Sequence, residues 1–353
     1  MFFLLSSQAK GLPQLLSYLH FAFEKNFSMN YTIKRYTSAD EALWNAAVDN
    51  GGVRQASFLF NRQYMDYHAD RFRDISLMVL DDHERVLALL PANVSRADEH
   101  CVESHGGLTY GGLLLSPHMT ATLTGEVMQS IMAWYKAQGF TTLKYKPVPH
   151  HYADYPCEED LYWLFRHDAQ LTVRLIASVV DLAQPYAFST LRRRKVNKAN
   201  RLGTLQEAEG ISFLPAYWQV LEEILHARYD ARPVHTLQEM QLLMQRFPQN
   251  IRLFVATERT TNTIQAGCVL YITRHVVHVQ YIAASDAGCA LGALDWLFAQ
   301  LLSQAAVLFP HVRYFDFGTC NEQDGRYLNE GLIFQKEGFG ARAICYDTYG
   351  MEL

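Results

Sequence analysis

The chain has 353 residues, 49% hydrophobic and 19% charged, a length beyond which one hydrophobic core stops growing, so two units with real cores are expected. The net charge of −5 and pI near 6.3 exclude a protein that binds nucleic acid over its whole surface, and any polyanion contact must be local. No apolar run approaches the roughly 20 residues needed to span a bilayer.

The apolar opening Met1-Phe2-Phe3-Leu4-Leu5 has no basic flank before it and is cut short by Ser6, Ser7, Gln8 and Lys10, so it does not read as a signal peptide. Residues 1–28 read as an N-terminal extension that adds little to the fold, because the first strand-like segment, Tyr31 to Tyr36, follows Met29. A helix near Phe60 to Phe72 then leads to a hairpin, Ile75 to Leu80 and Val86 to Val94, around the polar turn Asp81-Asp82-His83-Glu84. A Gly-rich strand region, Gly106 to Gly112, feeds a helix from about Thr120 to Gln138, which Gly139 stops before the strand Thr141 to Lys146. The strand Val173 to Val180 ends this half, and Gln184-Pro185 breaks the pattern.

The order recurs in the second half. A helix Trp218 to Tyr229 precedes the strand Ile251 to Ala256, the turn Glu258 to Thr263 and the strands Ala266 to Thr273 and Val276 to Ala283. A helix from about Leu291 to Ala306 and the strand Arg313 to Phe317 follow. Matching elements lie roughly 170 to 175 residues apart, a spacing that reads as internal duplication rather than a short solenoid repeat. The expected units are 29–183 and 184–353.

Six cysteines, Cys101, Cys157, Cys268, Cys289, Cys320 and Cys345, lack Cys-x-x-Cys spacing, which excludes the usual zinc signatures and a redox pair. Reduced, mostly buried thiols and no metal are expected.

Between Phe188 and Gly203 lies a basic helix with Arg192, Arg193, Arg194, Lys195, Lys198 and Arg201. Arg194, Lys198 and Arg201 stand at i, i+4 and i+7 and share a face, either as a solvated surface or as a clamp for phosphates. Further on, Arg228-Tyr229-Asp230-Ala231-Arg232-Pro233-Val234-His235-Thr236 joins two helices, and Arg228 and Tyr229 are candidates for substrate or phosphate binding. Thr236 and Glu239 fit a capping box for a helix running to about Phe247. His235 then sits at a helix N-terminus, where the dipole favours the neutral ring, and is a candidate base or a packing residue; His278, in the strand His275 to Tyr281, ranks below it, because alternation leaves it free to face either side of the sheet.

The clearest chemical signature is C-terminal: Phe315-Asp316-Phe317-Gly318, then Gly331-Leu332-Ile333-Phe334-Gln335-Lys336-Glu337-Gly338-Phe339-Gly340, then an apolar stretch around Ile344-Cys345-Tyr346. Asp316 either orients or deprotonates a substrate amine or caps the loop at Gly318-Thr319. Arg326 and Tyr327, in the return segment, are further binding candidates.

These motifs, with the basic helix ending at Gly203, resemble the Fem-type (FemAB/FemX-like) transferases, tandem relatives of the GNAT acyltransferases, over most of Met29 to Leu353. The resemblance implies an α+β fold of two tandem GNAT-like domains, with mixed, mainly antiparallel sheets flanked by helices. It assigns Lys336 to the donor and the developing oxyanion, against the plain reading of a surface lysine; Gln335 departs from the Phe that often precedes that lysine. The simplest GNAT enzymes cradle the CoA pyrophosphate with Gln/Arg-x-x-Gly-x-Gly/Ala. Here Cys289 takes the first position and Leu294 the last, around Gly292, which weakens the inference to acetyl-CoA. The coiled-coil arm of many peptidoglycan ligases has no room between Arg201 and Ile251. The implied activity is N-acyl transfer, with acyl-CoA slightly favoured as donor over aminoacyl-tRNA, to an amine on a nucleotide- or lipid-linked precursor of envelope polysaccharide or peptidoglycan. The expected setting is the cytoplasm, or the inner face of the membrane as a peripheral protein. A non-catalytic nucleotide-sugar-binding module is the reading from a different class.

Overall fold

The computed structural model describes residues 30–353, so the extension over residues 1–28 lies outside the described residues. The first half runs β1 (Tyr31–Arg35), α1 (Glu41–Asp49), α2 (Arg62–Met65), β2 (Leu77–Asp81), β3 (Val86–Leu90), β4 (Asn93–Val94), β5 (Cys101–Glu103), β6 (Leu114–Leu115), α3 (Ala121–Ala137), β7 (Thr142–Tyr145), α4 (Glu159–Arg166) and β8 (Gln170–Asp181). The second runs α5 (Thr190–Leu202), β9 (Leu205–Glu209), α6 (Leu214–Tyr229), α7 (Leu237–Arg246), β10 (Ile251–Glu258), β11 (Ile264–Ile272), β12 (Val276–Ala284), α8 (Asp286–Leu291), α9 (Ala293–Ser303), α10 (Ala305–Leu308), β13 (Tyr314–Thr319), β14 (Asn321–Glu322), β15 (Tyr327–Leu328), α11 (Glu330–Glu337) and β16 (Arg342–Glu352). This is the expected α+β architecture.

The β2–β3 hairpin forms because Asp81 Oδ1 accepts the backbone N–H groups of His83 and Arg85, and Glu84 takes a positive φ. The first half's four-stranded sheet has the order β1-β2-β3-β6. Its counterparts in the second half stay inside a ten-stranded sheet of order β4-β5-β7-β16-β8-β13-β12-β11-β10-β9. The β5–β7 and β12–β13 pairs are parallel; the other pairings in this sheet are antiparallel. The last strands of the two halves are exchanged. β16 inserts between β7 and β8, and β8 pairs with β13, so each half completes its sheet beside the other.

Several boundaries differ from the sequence reading. The helix expected from Phe60 to Phe72 is a broken set of short turns around α2, in which Asn61 caps Gln63 N and Arg62 is buried against Asp66 and Asp74. The strand expected to reach Val94 stops at Leu90; beyond Pro91, β4 pairs in the other sheet. Gly106 to Gly112 is loop, folded tightly enough that a Cβ on Gly111 would overlap the carbonyl oxygen of Ser104. The single helix expected over Leu291 to Ala306 breaks at Gly292, whose φ is 73°. Elsewhere the local chemistry is as read. Gly203 ends α5 in the left-handed region, and Thr236 and Glu239 form the capping box of α7. Three of the six cysteines, Cys157, Cys268 and Cys320, are buried; Cys101 is half-buried and Cys289 and Cys345 are exposed.

Candidate active site

The parallel ladder between β12 and β13 lasts three residue pairs, Val276–Tyr314, Val277–Phe315 and His278–Asp316, and the strands then diverge. A pocket of about 360 Å³ opens at this fork, lined by His278, Gln280 and Ile282 on one side and Gly318, Thr319 and Lys336 on the other. Opposite β11, the register skips from Tyr281 to Val279, so Gln280 is the extra residue of a β-bulge. A bulge re-aims a side chain and interrupts the ladder, and here it turns Gln280 to the pocket.

Asp316, at the vertex of the fork, is fully buried. Its carboxylate accepts the Gly318 N–H at 2.7 Å and the Tyr346 hydroxyl at 2.5 Å, with the Tyr152 hydroxyl 3.3 Å away. Its Oδ2 lies 3.1 Å from His278 Nδ1, and His151 Nε2 is farther off at 3.8 Å. Burial alone would raise the Asp316 pKa, but His278 beside it and the donors around it hold the carboxyl well below the usual carboxylate range. Asp316 is therefore an ionised hub. As a residue meant to touch a substrate amine it is corrected by its burial, and it reaches the pocket through His278.

Lys336 projects from the last turn of α11 and is buried, with Nζ donating to the carbonyls of Gly318 at 3.0 Å and Thr319 at 2.8 Å. Desolvation lowers its pKa. It is not the surface lysine of the plainer reading. An ammonium on a pocket wall is the kind of charge that a tetrahedral oxyanion requires.

Thr109 and Gln280 also line a second chamber, of about 370 Å³, so the two cavities adjoin at these residues. Its wall is a stack of rings: Tyr67 lies parallel to His68 at 4.3 Å and to His235 at 5.6 Å, and His68 to His105 at 5.7 Å. Arg71, which pairs with Glu239 at 2.6 Å, and the exposed Arg96 border the same space. Burial lowers the pKa of His68 and of His105, and takes His235 to about 4. For His235, burial, not the helix terminus, is the first cause; its Nδ1 lies 2.7 Å from the Tyr281 hydroxyl. A ring so reluctant to take a proton suits packing and binding better than general base chemistry. A larger groove of about 540 Å³ beside β7, β8 and β16 shares no residue with these chambers.

Other expected site residues fall elsewhere. Arg194, Lys198 and Arg201 are exposed on α5 and border neither chamber, while Lys198 donates to the carbonyl of Ala290. The helix's buried cation is Arg192, paired with Asp295. Arg228 faces Asp286 at 3.5 Å. Arg326 borders a separate small cavity with Arg174, and Tyr327 is exposed on β15. These positions place Arg326 and Tyr327 off the cleft. The side chain of Tyr229 lies outside the described residues. The sequence reading missed the chamber residues Tyr67, His68, Arg71 and Phe72, whose density of rings was the available signal, and ranked His278 below His235 as a catalytic candidate. Among the described residues no cluster of three or more His, Cys, Asp or Glu forms a metal-binding group, and no helix is long and apolar enough to cross a membrane.

Residues 189–327 match the family model of the acetyltransferase (GNAT) domain. A search of curated proteins finds no match. Among solved structures, the crystal structure of FemX aligns with a TM-score of 0.64 at 11% identity, over 91% of this chain and 97% of its own. A tandem GNAT protein from the clavulanic acid biosynthesis pathway aligns at 0.50 and 10% identity, over 92% and 98%. L-PGS from Bacillus licheniformis aligns at 0.52 and 14% identity, over 77% and 82%. The match places an acetyltransferase (GNAT) domain within the second half of the chain, where the fork pocket lies. Over the whole chain the likeness, at 10–14% identity, is one of fold, shared with FemX and with the tandem GNAT protein.

Proposed function

We propose that the protein is an N-acyltransferase that moves an acyl group from acyl-CoA to an amine on a nucleotide- or lipid-linked sugar precursor of the cell envelope. The observation that carries this reading is that the two chambers adjoin at Thr109 and Gln280. The fork pocket brings Lys336 to a reacting carbonyl, and the ring-lined chamber with Arg71 and Arg96 offers stacking faces and positive charge to an anionic, ring-bearing acceptor. In this reading the acyl-transfer machinery belongs to the unit from residue 184 and the acceptor chamber is built largely by the unit from 29 to 183, in the cytoplasm or at the inner face of the membrane. A relative described as a tandem GNAT protein without AcCoA supports acyl-CoA as donor class. Aminoacyl-tRNA is the alternative donor, favoured by the exposed cations Arg194, Lys198 and Arg201.

Purified protein is to be incubated separately with labelled acyl-CoAs and aminoacyl-tRNAs, plus a panel of nucleotide-linked amino sugars, and products read by mass spectrometry. Acylated amino sugar from acyl-CoA is the expected product. Transfer from aminoacyl-tRNA alone would replace the donor, and acceptor binding without turnover would favour a binding module.

A further inference from the structure

Lys336 can stabilise an oxyanion, but acyl transfer to an amine also needs a group that takes the amine proton. Around the fork, Asp316 is sealed from the pocket and Tyr346 commits its hydroxyl to Asp316. His151 is buried, and Lys336 spends donors on two carbonyls. His278 differs from all of these. It borders the pocket, its Nδ1 lies 3.1 Å from Asp316 Oδ2, and its Nε2 has no hydrogen-bond partner among the described residues.

We propose that His278 is the general base of the transfer and Asp316 its positioning residue. The proposal rests on the acyltransferase reading above. Asp316 accepts the Nδ1–H, which fixes the tautomer whose lone pair is on Nε2, and it offsets the imidazolium that forms. As the amine nitrogen attacks the thioester carbonyl, the C–N bond forms and its proton passes to Nε2. The C–S bond then breaks and the leaving thiolate recovers that proton, giving amide and free thiol with no other reactant consumed. The titratable groups around the pair are His150, His151 and Tyr152 on one turn, Tyr346 on β16 and Lys336 on α11. Of these, His151 is the one whose charge opposes a charge on His278, and the Asp316 carboxylate beside both offsets it.

Wild type and His278→Gln are to be compared with acetyl-CoA and a panel of nucleotide-linked amino sugars and simple amines. The variant is expected to lose about 100-fold in kcat with KM within about threefold, and to lose the acid limb of the kcat–pH profile. Asp316→Asn should shift the same profile, but because it disturbs a buried hub, His278→Gln at a partly exposed position, checked by thermal melting, decides. Unchanged kcat or an intact acid limb would overturn the proposal while leaving acyl transfer standing. Failure of the wild type to acylate any amine would overturn both.

Discussion

The Lys336 ammonium donates to the carbonyl of Gly318 at 3.0 Å, tying the last turn of α11 to the strand that forms one wall of the fork. The same bond aims the cation at the pocket. If Lys336 stabilises the oxyanion, Lys336→Met should lower kcat by on the order of 100-fold while KM stays nearly constant, since the interaction is made mainly in the transition state. Loss of the two carbonyl bonds should also cost about 1–3 kcal/mol in denaturant titration. A change confined to KM would make Lys336 an ordinary binding residue.

His235 gives a stability prediction with a defined sign. Its native pKa is about 4, while an unfolded histidine titrates near 6.5. Below the higher value the unfolded chain binds a proton that the native state refuses, so stability is full above about pH 6.5 and is lost as pH falls towards 4, by roughly 3 kcal/mol. Asp160 acts the other way in the same window, since burial raises it to about 6 and the native state keeps a proton the unfolded chain releases. Comparing urea unfolding of wild type and His235→Asn between pH 7.5 and 4.5 cancels the Asp160 contribution. The wild type is expected to lose about 2 kcal/mol or more relative to the variant. Parallel profiles would show that His235 is not buried as described.

Much of the fold was legible because its hairpins carry their own turn chemistry, as at Asp81 to Arg85, and its helices their end signals, as at Gly203 and Thr236. The strand exchange was not. Nothing local in Arg342–Glu352 says that it pairs with β7 and β8, because strand partners are chosen by the whole sheet. The site divides the same way. Lys336 stood out through its motif, whereas period-two alternation left His278 free to face either side until its register opposite Asp316 was fixed. Tyr67, His68, Arg71 and Phe72 looked like one helical stretch, and they become a chamber wall where the loop Gly106-Gly107 folds beside them.

The basic helix separates a structural cation from solvated ones. Arg192 is buried with Asp295, and removing one partner of such a pair leaves a buried charge uncompensated. Arg192→Ala should therefore cost about 3 kcal/mol in chemical denaturation, moderated by Lys195, whose Nζ is 3.6 Å from Asp295. Replacing Arg194, Lys198 and Arg201 with Ala should change stability by only about 0.5 kcal/mol per site. If that triple variant keeps the wild-type salt dependence of donor binding, α5 is a solvated face and the phosphate clamp is excluded.

Arg71 and Arg96 test whether the ring-lined chamber receives the acceptor. Arg71 is held by Glu239 and lies over the Tyr67 ring at 5.5 Å, so its guanidinium is fixed where a ligand's anionic group would arrive. Arg96 is exposed at the same chamber and can close on a second oxygen. Arg71→Ala should raise the acceptor KM by about tenfold, and the double variant with Arg96→Ala by more, with kcat within about threefold, because charge-assisted bonds to a non-reacting part of the substrate are uniform binding. Donor KM should stay constant. An acceptor KM that ignores both arginines, or a donor KM that rises instead, would assign the chamber to the donor and reverse the two ends of the cleft.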